Sequence, residues 1–404
     1  MELDASMKLD ASMKLDALLF AALAEIHPMA RVSAALTDLV PEMEIHLLAI
    51  GKAAPGMARG ALLAWEPHIH RVLIVTADDV DDLGLEVLRA GHPVPDERSL
   101  DAAEQCLEFA ARAPSLLVCI SGGASALVCA PSDGMTLKSK QAVTRALLAS
   151  GAPISDVNVV RKHLSRIKGG GLARAAGEAP VFTLVLSDVV RGQIYDVGSG
   201  PTVSDPSTVA DAKKIVKRWA PECGILPFVE TGEVPNSVEA KIVGGPMDLA
   251  RAMSSRLKQR GLTVTLRKPT QAPVERVAKD LLATAKKLRP GQAAVGVAEP
   301  SLKVPPFTTG RGGRSTHLAT LVGKSLPPGY QFGAFATDGV DGNSGTMGAI
   351  VDGTFASRAG AEAIDRALAT FDTGTLHLGL GTALPRAPTG HNLADLHVLL
   401  RFPG

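Results

Sequence analysis

Leu116-Leu-Val-Cys-Ile-Ser-Gly-Gly-Ala-Ser125 decides how the fold is read. Five apolar residues rich in strand formers run straight into a Ser-Gly-Gly-Ala-Ser turn. That is the pattern of a buried parallel strand ending at the carboxyl edge of a sheet. Gly122 and Gly123 carry no Cβ, so the backbone there can turn sharply and an anion can approach its N–H groups. Ser121 and Ser125 add hydroxyls on either side. A cradle for phosphate or carboxylate is one reading of the turn, and a plain strand-to-helix connection is the other.

The pattern repeats on both sides. Upstream, residues 45–50 read as a strand that turns at Gly51-Lys52 into a helix through Met57 and Leu62, with Pro55 tolerated in its first turn. Residues 71–76 read as the next strand, Gly91-His-Pro-Val-Pro-Asp96 as a loop, and 99–111 as a helix with Ser99 as its N-cap. Downstream, 138–150 reads as a helix stopped by Gly151. Residues 157–168 read as another, closed by Gly169, Gly170 and Gly171. Residues 181–186 form a strand ending on Ser187-Asp188, and 210–219 a helix. Alternating strands and helices predict a doubly wound, Rossmann-like parallel sheet with ligands at the carboxyl ends of its strands.

Prolines then crowd the chain at 221, 227, 235 and 246, placing a seam within 220–245. The expected organisation is a mobile leader over 1–18, an N-terminal domain over 19–235 and a C-terminal α/β domain over 236–404. The second domain is expected to hold a mixed sheet, with strands near 262–266, 293–297, 332–336 and 375–380 and helices near 273–288 and 355–370. The leader contains a hexapeptide repeat (Met-Glu-Leu-Asp-Ala-Ser, then Met-Lys-Leu-Asp-Ala-Ser) whose period matches neither a helix nor a coiled coil.

Composition narrows the class. Apolar residues make up 46% of the 404 residues and charged ones 21%, which is globular usage. The 42 basic and 41 acidic residues leave a net charge of +1, which argues against a nucleic-acid or membrane-surface partner. Cys106, Cys119, Cys129 and Cys223 have no metal or redox spacing, so a reduced, cytoplasmic setting is expected. No apolar run reads as a membrane span. A small-molecule substrate is the expected partner; a homodimer is one option for an assembly state that the sequence leaves open.

Further loops carry charge beside glycine. Lys52 opens a helix where an ammonium and free N–H groups point the same way, which suits phosphate, although a solvated turn lysine has the same sequence. The spacing is not that of a Walker loop, and Gly323-Lys-Ser325 fails too, with Leu318 where the first glycine belongs. On the expected helix 157–168, Arg161, Ser165 and Lys168 share one stripe; they bind an anion or merely complement the helix dipole. Asp188 ends a core strand, where α/β enzymes place bases and metal ligands and where helices also find caps. Ser199-Gly-Pro-Thr202 reads as a rigid structural turn. In Thr309-Gly-Arg-Gly-Gly-Arg314, Gly312 and Gly313 lie between two arginines whose donor forks suit phosphate. Aromatics are only 3% of the chain, so stacking surfaces for RNA are missing. In Thr337-Asp-Gly-Val-Asp-Gly342, Asp338 and Asp341 suit a divalent ion such as Mg²⁺, or an Asx-capped turn.

Taken in order, these loops resemble the MOFRL-type (class II) D-glycerate 2-kinase family, which is also named hydroxypyruvate reductase. The matching stretches include Ile50-Gly-Lys-Ala-Ala54, Gly91-His-Pro-Val-Pro-Asp96, Ser121-Gly-Gly-Ala-Ser-Ala-Leu127 and Asn158-Val-Val-Arg-Lys-His-Leu-Ser165. They continue with Ser187-Asp-Val189, Ser199-Gly-Pro-Thr202, Gly312-Gly-Arg314 and Thr337-Asp-Gly-Val-Asp-Gly342, and span about residues 20–400. The resemblance implies a glycerate kinase-type N-terminal domain, a MOFRL-type C-terminal domain and an active site in the cleft between. It also implies ATP-dependent phosphorylation of the 2-hydroxyl of D-glycerate, and it puts Lys52, Asp188 and Arg314 at positions the family treats as functional. The chain departs from the family in Ser-Thr-His after Arg314 (usually Asn-Gln-Glu), Gln193 after Gly192, Val297-Ala-Glu299, and Gly390-His-Asn392.

On these expectations Lys52, Asp188 and Arg314 are catalytic. Ser121, Gly122, Gly123, Ser125, Arg161, Lys168, Gly312 and Gly313 bind substrate or phosphate, and Asp338 and Asp341 hold Mg²⁺. Two rivals stand beside the kinase. One is an NAD(P)H-dependent reductase, whose Gly-x-Gly-x-x-Gly fingerprint is missing after the first strand. The other is a divergent, non-catalytic anion-binding protein.

Overall fold

The computed structural model describes residues 14–77, 85–190, 193–235, 237–387 and 389–403. The chain divides into two compact units, one of residues 28–244 and the other of residues 245–404 with the N-terminal segment through His27.

In the unit of residues 28–244, six parallel strands lie in the order β3-β2-β1-β4-β5-β6: β1 (Ile45–Ile50), β2 (Ile69–Thr76), β3 (Val87–Arg89), β4 (Leu116–Ser121), β5 (Val181–Leu186) and β6 (Val238–Gly244). Every residue of β1 and β4 is buried, as a strand covered by helices on both faces requires. The core packs Leu48, Ile50, Val118 and Ile120 against Ala103, Cys106 and Ala110 of helix Glu97–Ala111. That helix is capped by Asp96, not Ser99. The Asp96 carboxylate accepts from the Ser99 N–H while Ser99 Oγ accepts from the Asp96 N–H, so Ser99 is the third residue of a capping box. The expected helix 157–168 is instead Ile154–His163. Past it, Ser165 Oγ donates to Ala130 O and pairs the segment with Pro131.

The unit of residues 245–404 holds a mixed sheet in the order β11-β10-β9-β12-β8-β7: β7 (Thr263–Leu266), β8 (Gln292–Ala298), β9 (Tyr330–Ala336), β10 (Thr346–Asp352), β11 (Ala383–Pro385) and β12 (Asp395–Arg401). β12 lies between β8 and β9, antiparallel to both. Phe332, Ala334, Val351 and Leu399 pack on Leu318, Val322 and Phe355.

Several expectations are corrected. β6 extends the first sheet beyond 235, because an edge strand needs only one partner and tolerates the exposed, charged pattern of 238–242. The expected strand 375–380 is helix Thr373–Gly379. Helix 355–370 is broken at Gly360 into Phe355–Ala359 and Ala361–Ala369. Residues 1–13 of the expected leader lie outside the described residues, but its end is ordered: helix Leu15–Glu25 buries Leu15, Leu18, Leu19, Ala22 and Leu23. Residues 15–36 are also long and apolar enough, at 22 residues, to cross a membrane by length and composition alone. The span is nevertheless two helices, Leu15–Glu25 and Pro28–Leu36, parted at Ile26-His27, and their apolar faces are buried in protein.

Candidate active site

The order of the parallel sheet puts β1 beside β4, with Ile50 opposite Ile120, at the point where the winding reverses. Their carboxyl-end turns therefore meet, which is where open α/β sheets form a ligand crevice. Gly51 has φ +131°, and a Cβ there would lie 2.2 Å from Ser121 Oγ. The Lys52 N–H donates to Gly122 O at 2.9 Å, and the Ala53 N–H to Ser121 Oγ at 3.0 Å. Ser121 thus fastens the two turns together instead of facing outward. Gly123, at φ +90°, sits where a Cβ would come within 3.4 Å of both the Lys52 stem and the His92 ring. Among the described residues, no oxygen accepts from the N–H groups of Gly122, Gly123, Ala124 or Ser125. Four successive amides of that kind lie beside a half-buried lysine, the arrangement that backbone anion sites use.

Other predicted residues support this turn. Ser125 Oγ is 3.1 Å from Ser199 Oγ, and Ser199 itself is held at φ 63°. The Gly169 and Gly170 N–H groups donate to Ser199 O and Gly200 O, so these glycines dock the chain on the Ser199-Gly-Pro-Thr202 turn. Lys168 is fully buried. Its Nζ donates to Ser125 O at 2.8 Å and Val128 O at 3.1 Å, gripping the short helix Ala124–Leu127 from its carbonyl end. Burial, and then Lys140, pull the Lys168 ammonium down to about 7. Lys140, which the sequence reading missed, is buried too and pulled to about 8. Arg161 is half-buried beside Asn158, 3.5 Å away, with its guanidinium lowered by burial. Asp188 follows β5, half-buried, next to Ser187, whose Oγ accepts from the Val189 N–H.

In the other unit the Gly-rich loops close on each other. Arg314 opens helix Arg314–Gly323. The first amides of that helix, Ser315 N–H and Thr316 N–H, donate to the two oxygens of Asp341 at 2.9 and 2.8 Å. Asp341 is buried, which pushes its carboxyl up despite these amides. A Cβ on Gly313 would lie 2.2 Å from Asp341 Oδ1, and one on Gly312 2.5 Å from Phe371 O. At these glycines the protein's own groups approach the backbone closely. The Val340 N–H donates to Asp338 Oδ1. Among the described residues, no group of three or more His, Cys, Asp and Glu is clustered as a metal site. Arg314 Nη2 donates to Asp395 at 3.1 Å, and Nη1 lies 3.6 Å from Glu299. Burial opposes the charge of Arg314, but Asp395, then Glu299, Asp341 and Asp338, hold the guanidinium above its ordinary value. Asp395, fully buried, is pushed up to about 7 by desolvation although Arg314 draws it down. His317, in the Ser-Thr-His departure, stacks on Phe371 with centroids 5.5 Å apart.

Sequence reasoning overlooked His92, Lys140, Glu299 and Asp395 as site residues. His92 and Glu299 stood inside quoted stretches, but nothing in those stretches marked them as neighbours of Lys52 or Arg314.

Residues 14–229 match a family described as a domain of unknown function (DUF4147), and residues 292–395 match the MOFRL family. A protein of Agrobacterium vitis named "Putative hydroxypyruvate reductase" is 34% identical over 94% of this chain and 92% of its own. The D-glycerate 2-kinase of Thermotoga maritima is 32% identical over 90% of this chain and 92% of its own. The crystal structure of a glycerate kinase from Thermotoga maritima superposes with a TM-score of 0.84 at 29% identity, covering 95% of this chain and 97% of that one.

Proposed function

The chain belongs to the MOFRL-type glycerate 2-kinase family, and from that membership we propose that it transfers the γ-phosphoryl group of ATP to the 2-hydroxyl of D-glycerate, giving 2-phosphoglycerate. The observation that carries this reading within the molecule is the paired turn of β1 and β4, where Lys52 lies beside amides that have no acceptor among the described residues. Phosphoryl transfer asks a protein mainly for positioning and for cations around a spreading negative charge. The bond from the γ-phosphorus to the β-phosphate oxygen breaks, and a bond from that phosphorus to the glycerate oxygen forms. The hydroxyl proton passes to Asp188.

Lys52 and Arg314 are assigned to the charge on the transferring group, and the amides of 122–125 to a phosphate or to the glycerate carboxylate. Arg161 is assigned to the same anion. Lys168 acts by holding the turn, since its ammonium is occupied by two carbonyls. Mg²⁺ accompanying the nucleotide would neutralise phosphate charge. Asp341 does not fit as its ligand, because both carboxylate oxygens already accept from helix amides. Asp338 is the remaining acidic candidate in that loop. Buried free Cys106, Cys119 and Cys129 agree with a reducing, cytoplasmic setting.

A single assay separates the kinase from the reductase that some relatives are named for. D-glycerate is supplied with Mg-ATP, and hydroxypyruvate separately with NADH. Glycerate-dependent ADP release is expected; NADH oxidation without it would select the reductase, and silence in both a binding protein.

A further inference from the structure

Arg314 is restrained from two sides, and the restraint has its own architecture. Asp395 opens β12 directly opposite Ala298, the last residue of β8, and Glu299 follows Ala298. Two adjacent strand ends therefore deliver one carboxylate to each terminal nitrogen of the guanidinium, at 3.1 Å and 3.6 Å. Behind them Asp341 fixes the first turn of the helix that carries the arginine.

The burial of the two partners is unequal. The Asp395 side chain is 3% exposed, whereas that of Arg314 is 38% exposed. Asp395 Oδ2 has no hydrogen-bond partner among the described residues. A buried carboxylate with an unmet oxygen costs stability, and its same-face neighbours along the strand, His397 and Leu399, are buried as well. A simple surface ion pair would need no such burial. An acid closed off from water, holding an arginine that still faces water, is arranged to aim that arginine.

We propose that Asp395 is a positioning residue for the reaction: it fixes the plane of the Arg314 guanidinium, with Glu299 as the second arm, so that the remaining N–H donors point at the transferring phosphoryl group. The proposal rests on the kinase reading above.

The test is a mutant cycle on the full chain, with kcat and KM for glycerate and ATP and a thermal melt for each variant. Asp395→Asn is expected to lower kcat about 10- to 100-fold with little change in either KM, the size of loss that misplacing a catalytic group produces. Added to Arg314→Ala, the same change is expected to cost less than about twofold, because nothing remains to be aimed. An equal loss in both backgrounds would show a merely structural role and overturn the proposal. If Asp395→Asn melts before assay, Glu299→Gln with and without Arg314→Ala carries the same comparison. If the wild type releases no glycerate-dependent ADP, the kinase reading falls while the restraint stays measurable. Separate Arg314 Nη resonances that merge in Asp395→Asn would then support it, and unchanged line shapes would sink it.

Discussion

The two units build glycine-rich loops from the same residue types and use them in opposite ways. In the parallel unit, the turn after β4 leaves four amides without an acceptor among the described residues, beside Lys52 of the turn after β1. In the mixed-sheet unit, the space at Gly312 and Gly313 is filled by Phe371 O and the Asp341 carboxylate, and the charged residue that emerges is Arg314, held by acids. One loop is open because parallel neighbours end together at the reversal of the sheet. The other is closed because its own carboxylate caps its own helix. A glycine in a motif therefore signals close backbone approach, not what approaches.

The sharpest way to break this contrast is to remove its two cations. Lys52→Ala and Arg314→Ala are each expected to lower kcat on the order of 10²–10³-fold, measured by ADP release at saturating substrate. Near-normal turnover in both would remove the assignment. Next is the open turn itself. Gly51→Ala would force φ +131° on an alanine and drive its Cβ onto Ser121 Oγ, so a loss of about 2–4 kcal/mol is expected by denaturant unfolding. Gly134→Ala, at φ +80° with nothing within 4 Å, should cost only about 1 kcal/mol. Comparable losses would mean that the fastening by Ser121 contributes nothing.

The closed loop predicts a cap-sized effect. Asp341→Asn is expected to lower stability by about 1–2 kcal/mol while leaving the Mg²⁺ concentration for half-maximal rate unchanged. A large shift in that concentration would restore Asp341 as a metal ligand. The smallest effect per pH unit concerns Lys168. Its folded value lies near 7 and its unfolded value near 10.5, so the unfolded chain binds the extra proton between them. Stability should therefore rise with pH across about 7 to 10, by at most about 1.4 kcal/mol per unit from this group. Urea unfolding of Lys168→Met should show a shallower rise over that window, and equal slopes would place the charge of Lys168 in water.

The parallel half was legible because its central strands β1 and β4 are apolar runs closed by glycine turns, and because local chain order alone produces β-α-β winding. The placement of Lys52, Ser121 and Gly123 at the carboxyl ends of β1 and β4 was legible for the same reason. The mixed sheet hid its central strand. Asp395–Arg401 begins with an acid, contains His397 and ends with an arginine, and it becomes core only by insertion between β8 and β9. The helical stripe of Arg161, Ser165 and Lys168 failed because the helix stops at His163, where pairing of Ser165 with Pro131 wins over propensity.

By itself the sequence determined the alternation of strands and helices in the parallel half, the glycine turns at its strand ends, and the family that those turns resemble, since all of these are local patterns of burial and backbone freedom. Only the tertiary structure decided which amides stay open, that Asp341 is spent on a helix, that Lys168 grips a neighbouring turn, and that Asp395 meets Arg314 across 81 residues. A hydrogen bond or an ion pair between distant segments depends on how sheets bring strand ends together, and residue type carries no record of that.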